Sequence, residues 1–438
     1  MERKFILQHV HNNKTSPFGQ FYITYKIHKP MVNGHFPTCP VCSGVTTLPH
    51  GLGKWVDNQL QPIAHAQPSF FQDSYTLRHS LENLQLPHNA LLFTSDAISM
   101  YTNIKTDPAL TSISEYIRAE EGKSFHHYNS TALTEALEIV FRNNLINFGD
   151  TYWRQISGTG MGISPAPPWA TIFFALHERT LLPRWKNNLL FYRRFIDDIF
   201  GIWLMDDCPT HNDELWASFK TQMQQWHGLS WDFSPLSHSC TFMDLTISIA
   251  ANKITTTIYE KPQNLYLYIP PSSAHPKGTL RGLITGSILR FYRLCTNPAD
   301  ATQKTQQLYS RLIQRGYTHE HLLPLFHKAN AHAKTHISRT QLNNEPIHQH
   351  KPNSLQQRVF LHLPYHPNDP PAHTILSLWK THVSEPINEP KLSKMTNYQK
   401  APTPIDQLTI AYHTPPNLRN KLSIRTIHGR GRDVSTFL

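Results

Sequence analysis

The chain has 438 residues, 39% of them hydrophobic, and a formal net charge of +11. That length supports two or three domains with real cores, and no run of about 18 or more apolar residues is present to span a membrane. The five cysteines, Cys39, Cys42, Cys208, Cys240 and Cys295, are odd in number and irregularly spaced, which argues against a disulfide framework and for a reducing compartment. The opening MERKFILQHVHNNK turns polar too soon for a secretory signal, so an intracellular protein is expected. The basic balance favours polyanionic partners such as nucleic acid.

Residues 1–70 are rich in Pro, His and Gly, with short strand-like pieces such as FYITYKI, and no long periodic helix is expected there. From Leu91, LLFTSDAISMYTNI begins as a buried strand and ends in a polar stop. A helix is expected from Asp107-Pro108, with the Asp as cap and Leu110, Ile113 and Ile117 on one face. A second helix covers Thr131 to Asn144, with Leu133, Leu137, Val140 and Phe141 as its stripe. INFGDTYWRQI reads as a hairpin turning at Gly149-Asp150. PPWATIFFALHERTLL is a buried helix, and LLFYRRFIDDIFGIWL is two strands around an acidic turn. A helix from about Asp213 to Trp226 and strands at LSWDFS and CTFMDLTISI follow. The order β-α-α-β-α-ββ-α-β lacks the alternation of a doubly wound sheet. Beyond Pro276 the chain turns helical. From about Gln341 it is rich in Pro, Asn, His and Lys without a period and is expected to be a loosely folded extension.

The strongest chemical signal is Asp197-Asp198 between two apolar strands. Two adjacent carboxylates in an apolar setting repel and resist burial, and a divalent cation removes that cost. Asp96 ends an apolar strand about 100 residues earlier and supplies a third carboxylate. Two hard cations roughly 3.5–4 Å apart could then clamp the attacking and leaving oxygens of a phosphoryl transfer.

The segment Tyr192 to Phe200, YRRFIDDIF, resembles the third palm motif of reverse transcriptases. SDAISMYTNI, from Ser95 to Ile104, resembles the first, and Gly158-Thr159-Gly160-Met161-Gly162 with Ala166-Pro167 resembles the second. Together with YKIHKP, PVCSG, FMDLTI and the HPKG…RLC stretch, these motifs resemble the Penelope-like retroelement reverse transcriptases, relatives of telomerase, from about Phe21 to Cys295.

That resemblance implies an α+β right-hand polymerase with fingers, a ferredoxin-like palm and a helical thumb. The expected organisation is an N-terminal fingers segment at 1–90, a palm at 91–250 with fingers helices inserted at about 105–150, a primer grip and thumb at 251–340, and a C-terminal extension at 341–438 with no endonuclease domain. Asp96 and Asp197 would hold two Mg²⁺ or Mn²⁺ ions, with Asp198 supporting and the Ala97 carbonyl contributing. Tyr101 would lie under the sugar and disfavour a 2′-OH. Gly158, Gly160 and Gly162 would let the backbone, and Met161 with it, pass close to the forming base pair. Lys26 and Lys29 would approach the incoming triphosphate. Phe242 and Met243 would form the primer grip, with Asp244 a structural hydrogen-bonder. Lys277, Arg281, Arg290 and Arg293, which flank or sit on a helix also carrying Leu283, Leu289 and Phe291, would face the phosphates of the template–primer duplex. The implied partners are an RNA template, a DNA primer and deoxynucleotides, and the implied place of action is the nucleus.

One departure stands out. The family usually carries Arg where this chain has Cys39, and a thiol cannot replace a bidentate cationic fork. It also creates Cys39-x-x-Cys42 near His35 and His50, a permissive but accidental-looking zinc spacing. No Lys lies between Trp226 and Ala251 to serve as a general acid, which leaves His238 as the substitute candidate. The alternatives are therefore a polymerase-fold RNA-binding protein with weakened or lost catalysis, and an RNA-dependent RNA polymerase.

Overall fold

A computed structural model describes residues 18–27, 30–31, 33–45, 47–276, 278–343, 358–366, 368–383 and 407–413. The chain divides into two compact units, Met1–Asn264 with Leu294–Asp300, and Leu265–Arg293 with Ala301–Leu438.

In the first unit the strands are β1 (Gly19–Tyr25), β2 (Thr38–Ser43), β3 (Ala90–Ala97), β4 (Leu145–Phe148), β5 (Thr151–Arg154), β6 (Leu189–Phe195), β7 (Asp198–Leu204), β8 (Trp231–Phe233), β9 (Ser239–Phe242), β10 (Leu245–Ala250) and β11 (Lys253–Ile258). They form three sheets, ordered β2-β1-β4-β5, β6-β7-β3-β8 and β11-β10-β9. The β4–β5 hairpin turns at Gly149-Asp150 as the sequence predicts, with Gly149 at φ 58° supplying the left-handed backbone. The first sheet joins distant segments, because β1 pairs with β2 on one side and runs parallel to β4 on the other.

The central sheet is antiparallel throughout, and its Phe93, Ile199 and Trp203 belong to a hydrophobic core shared with the surrounding helices. The helix Ala166–Leu181 is nearly all apolar, and its Trp169, Ile172, Phe173 and Phe174 are buried. It packs with Ser130–Arg142, whose Phe141 ring stacks on Trp169 at 4.0 Å. An aromatic cluster of Phe93, Trp203, Trp216 and Phe219 fills the space beneath the helix Pro209–Met223.

Three expectations need correction. The N-terminal part does hold a long helix, His50–His65, and a shorter one, Ser74–Glu82. Val56, Leu60, Ile63 and Ala64 form the buried stripe of the first. The Gly, His and Pro content concealed that period. The helix expected at Asp107-Pro108 begins at Thr106, with Lys105 in the cap position; Asp107 lies in the first turn and accepts from Arg142 Nη1 at 2.7 Å. The strand read from Leu91 is present as Ala90–Ala97, and the polar stretch after it carries one helical turn, Met100–Asn103. The C-terminal stretch is not without order: β12 (Arg358–Pro364) and β13 (Gln407–His413) pair in parallel, and helix Ala372–Val383 lies between them in sequence.

The second unit contains most of the helices Gly278–Leu294, Pro298–Gln314 and His319–Asn343. In the first, Ile284, Ile288 and Phe291 form the buried stripe, while Leu283 and Leu289 are half-buried. Of the three apolar residues named on this helix from sequence, Phe291 thus belongs to the buried stripe.

Candidate active site

Asp96 sits one residue from the end of β3. In the register of the central sheet it faces Asp198 of β7 on one side and Asp232 of β8 on the other. Directly paired residues project from the same face, so three carboxylates form a row across three strands. Asp232 carries no motif in the sequence, and only the strand pairing reveals it.

Asp197 lies in the two-residue turn between β6 and β7, and its carbonyl accepts from the Ala97 N–H at 2.9 Å. The preceding Ile196 has φ 56°. A tight hairpin of this kind wants Gly at that place, and a β-branched residue there costs roughly 1–3 kcal/mol. Burial raises the Asp197 pKa; its own backbone N–H opposes this, the Asp96 charge raises it further, and Lys26 and Arg194 lower it. Lys26 is thereby placed within electrostatic reach of the acidic turn. Lys29 lies outside the described residues.

Beneath the turn lies a buried ion pair that sequence reasoning missed. Arg194 and Glu178 are 1% and 2% exposed. Arg194 donates from Nε to Glu178 Oε1 at 2.6 Å and from Nη2 to Oε2 at 2.8 Å. Its Nη2 also reaches the Thr171 carbonyl at 2.9 Å, and Nη1 reaches the Ile196 carbonyl at 2.8 Å. Ser69 Oγ donates to Glu178 Oε2 at 2.5 Å and Tyr192 OH to Oε1 at 2.6 Å. Glu178 is held below the usual carboxylate range: burial opposes this, but the Arg194 charge and the donors outweigh it. The signal was a Glu inside an otherwise apolar helix, and an Arg-Arg pair on a strand whose alternation turns one side chain inward.

Tyr101 lies on the single turn after β3 and is half-buried. Burial and then the Asp197 charge push its pKa up to about 12, so its hydroxyl stays protonated. Its carbonyl accepts from Thr159 N at 2.6 Å, which ties the glycine loop to the acidic strand. A methyl group on Gly160 would meet the Asn144 amide at under 3.0 Å, and one on Gly162, at φ 112°, would meet the Cys42 carbonyl at 2.8 Å. On the other side Cys42 N donates to the Met161 carbonyl at 2.8 Å, and Cys39 Sγ contacts Met161 Sδ at 3.3 Å. Lys26, Cys39, Tyr101, Met161, Asp96 and Asp197 therefore belong to one neighbourhood where the first sheet, the loop and the central sheet meet.

The donor set is hard oxygen, which suits Mg²⁺ or Mn²⁺. Among the described residues no group of three or more His, Cys, Asp or Glu is arranged to hold a metal ion. Two mutually repelling carboxylates nevertheless fit the usual Mg²⁺ pattern, in which one or two protein carboxylates are completed by substrate phosphates and water.

The remaining expected residues are spread more widely. Phe242 is buried against Phe71 and Phe200, so its ring supports the β9–β10 turn from inside. Met243, in that turn, has φ 53°. The Asp244 carboxylate accepts from Ser74 Oγ. In the second unit Arg281 is exposed, and Arg290 and Arg293 are half-buried on the side opposite the Ile284–Ile288–Phe291 stripe. The Arg293 Nη2 contacts the His336 ring at 3.1 Å. Lys277 lies outside the described residues.

The family description "animal helix-turn-helix domain" matches residues 267–323. No curated protein sequence matches the chain. A solved structure of telomerase from Candida albicans, in complex with a fragment of telomeric RNA, superposes with a TM-score of 0.51 at 8% identity, covering 78% of this chain and 63% of that one. The RNA-dependent RNA polymerase of BmCPV at elongation state matches with a TM-score of 0.46 at 11% identity, over 71% of this chain and 27% of that one. The chain thus spans less than two thirds of the length of either. The likeness to the telomerase chain is one of fold, and it identifies a mixed helix-and-sheet polymerase fold.

Proposed function

We propose that the chain is an RNA-directed DNA polymerase of the Penelope-like kind, which adds deoxynucleotides to a primer 3′ hydroxyl on an RNA template. The observation that carries this reading is the approach of the Asp197 turn to the end of β3, where Asp96 pairs with Asp198, the Ala97 N–H donates to the Asp197 carbonyl and the Asp96 charge acts on Asp197, beside Tyr101 and the glycine loop. Asp96 and Asp197 would hold the cations, with Asp198 and the Ala97 carbonyl supporting. Divalent ions bound there would acidify the attacking hydroxyl and neutralise charge on the departing pyrophosphate.

The protein's own groups do the positioning. Lys26 offers a point charge to the triphosphate on the side of the acidic turn. Tyr101 presents a neutral ring where a ribose 2′-OH would need space. Gly160 and Gly162 keep the loop free of side chains at places already closed by Asn144 and Cys42. In the second unit the helix-turn-helix match and Arg281, Arg290 and Arg293 support contact with duplex phosphates.

A second reading, an RNA-binding protein with weakened catalysis, is favoured by Cys39. Its thiol is packed on Met161 where relatives carry a triphosphate-gripping arginine. Primer extension on a homopolymeric RNA template with Mg²⁺ or Mn²⁺ tests both. Extension with deoxynucleotides that Asp197→Ala abolishes supports the polymerase. RNA binding without extension supports the second reading, and preferential use of ribonucleotides points to an RNA polymerase.

A further inference from the structure

We infer that Arg194 is a positioning residue for Asp197: anchored by Glu178, it holds the strained Ile196-Asp197 turn through the Ile196 carbonyl. The inference rests on the polymerase reading for its effect on turnover, although the clamp itself is a matter of structure.

Ile196 occupies a left-handed backbone conformation that a β-branched side chain does not adopt unaided. Something must hold it there, and the hydrogen bonds show what does. The Arg194 guanidinium spends its planar fork on Glu178, and its remaining donors reach two main-chain carbonyls, Thr171 on the helix and Ile196 in the turn. Glu178 is itself locked by Ser69 and Tyr192, and the Arg194 N–H donates to the Ser69 carbonyl at 2.8 Å. The acidic turn is thereby tied to the buried helix Ala166–Leu181 and to the segment ahead of Ser74–Glu82. A buried ion pair is a weak source of net stability, because both ions lose their hydration. The geometry here gives it a different task, which is to fix one carbonyl next to the carboxylate at the centre of the site. A lysine would keep the charge beside Glu178 but could not reach Glu178 and both carbonyls with one ammonium on this planar arrangement.

The test is a double-mutant cycle between Arg194→Lys and Ile196→Gly, read by thermal melting and by primer extension with varied deoxynucleotide. Arg194→Lys alone is expected to lower kcat by roughly 10- to 100-fold, the worth of a charge-assisted hydrogen bond, while KM for nucleotide and duplex binding change by less than about threefold. Glycine accepts the turn conformation freely, so the same substitution in the Ile196→Gly background should cost several-fold less in kcat and less in melting temperature. Additive effects in both readouts, or a folded Arg194→Lys protein with wild-type kcat, overturn the inference. If Arg194→Lys does not fold, Tyr192→Phe removes one donor from Glu178 without touching the turn. A fall in kcat with unchanged KM then supports the clamp, and a lowered melting temperature with unchanged kcat overturns it. A wild-type protein that extends no primer defeats the polymerase reading alone; the melting-temperature coupling still decides the clamp, with coupling for it and additivity against it.

Discussion

Gly201 is the residue of β7 that faces Phe93 of β3. A methyl group there would fall less than 3.0 Å from two atoms of the Phe93 ring. That ring is fully buried, with Trp216 at 4.9 Å, Phe219 at 6.0 Å and Phe233 at 6.2 Å between centroids. It has nowhere to swing, so Gly201→Ala must spread β3 from β7 or force Phe93 off its rotamer. Overpacking of this kind costs about 1–3 kcal/mol, and an enclosed aromatic ring puts it at the upper end. For a unit of this size each kcal/mol lowers the melting temperature by roughly 2–4 °C, so a fall of about 6–12 °C is expected. The same pair lies three positions from Asp96 and Asp198 in the register, so the carboxylates should move apart and extension should weaken as well. Phe93→Leu leaves a void when made alone, but it should offset Gly201→Ala when the two are combined. Calorimetric or urea melts of the four proteins provide the measurement. A Gly201→Ala protein that melts within about 1 °C of the wild type, or two substitutions whose costs simply add, would refute the packing argument.

Three further outcomes are expected. Asp197 has a raised pKa in the folded state, so the stability linked to its proton is present below the ordinary value of 3.8 and is lost as pH rises through the folded value; Asp197→Asn should therefore raise the melting temperature at neutral pH in chelator while abolishing extension, and the gain should shrink toward pH 4. Tyr101→Ala should raise ribonucleotide use relative to deoxynucleotide use by roughly tenfold or more, measured as the ratio of kcat/KM values, and an unchanged ratio would make the ring a packing residue only. Cys39→Arg should improve apparent nucleotide affinity by about 10- to 100-fold, because a charge-assisted phosphate contact is worth roughly 1.5–3 kcal/mol; a wild-type protein already saturated at micromolar nucleotide and unimproved by the change would contradict this.

The strands around Asp96 and Asp197 were legible because a short apolar run that ends in acid is costly to fold unless a cation or a polar partner meets the carboxylate. The β4–β5 hairpin was legible from Gly149-Asp150. The helix His50–His65 was not, because Gly51, Gly53, His50, His65 and Pro62 diluted a period that Val56, Leu60, Ile63 and Ala64 do carry. Asp232 and the Arg194–Glu178 pair were hidden for another reason. Each takes its meaning from a partner far away in the chain, and no local pattern marks a residue whose neighbour is set by strand register or by a helix crossing beneath a turn. The contact between Cys39 and Met161 belongs to the same class: the sequence marked Cys39 only as a departure from the family it resembles, and the packing sets it against Met161.

The parallel pairing of β1 with β4 has a consequence for how the chain is made. β1 and β2 leave the ribosome well before β4, with Tyr22, Ile23 and Tyr25 exposed even in the finished fold. At Gly19 and Gln20 the other side of β1 stays unpaired until β4 has been synthesised, roughly 130 residues later, which takes about 6–25 s at cellular rates. During that interval an aromatic hairpin with an unpaired edge is a template for pairing with another nascent chain. Slow translation ahead of Leu145 should therefore lower the yield of native protein, while a chaperone that covers extended apolar segments should raise it.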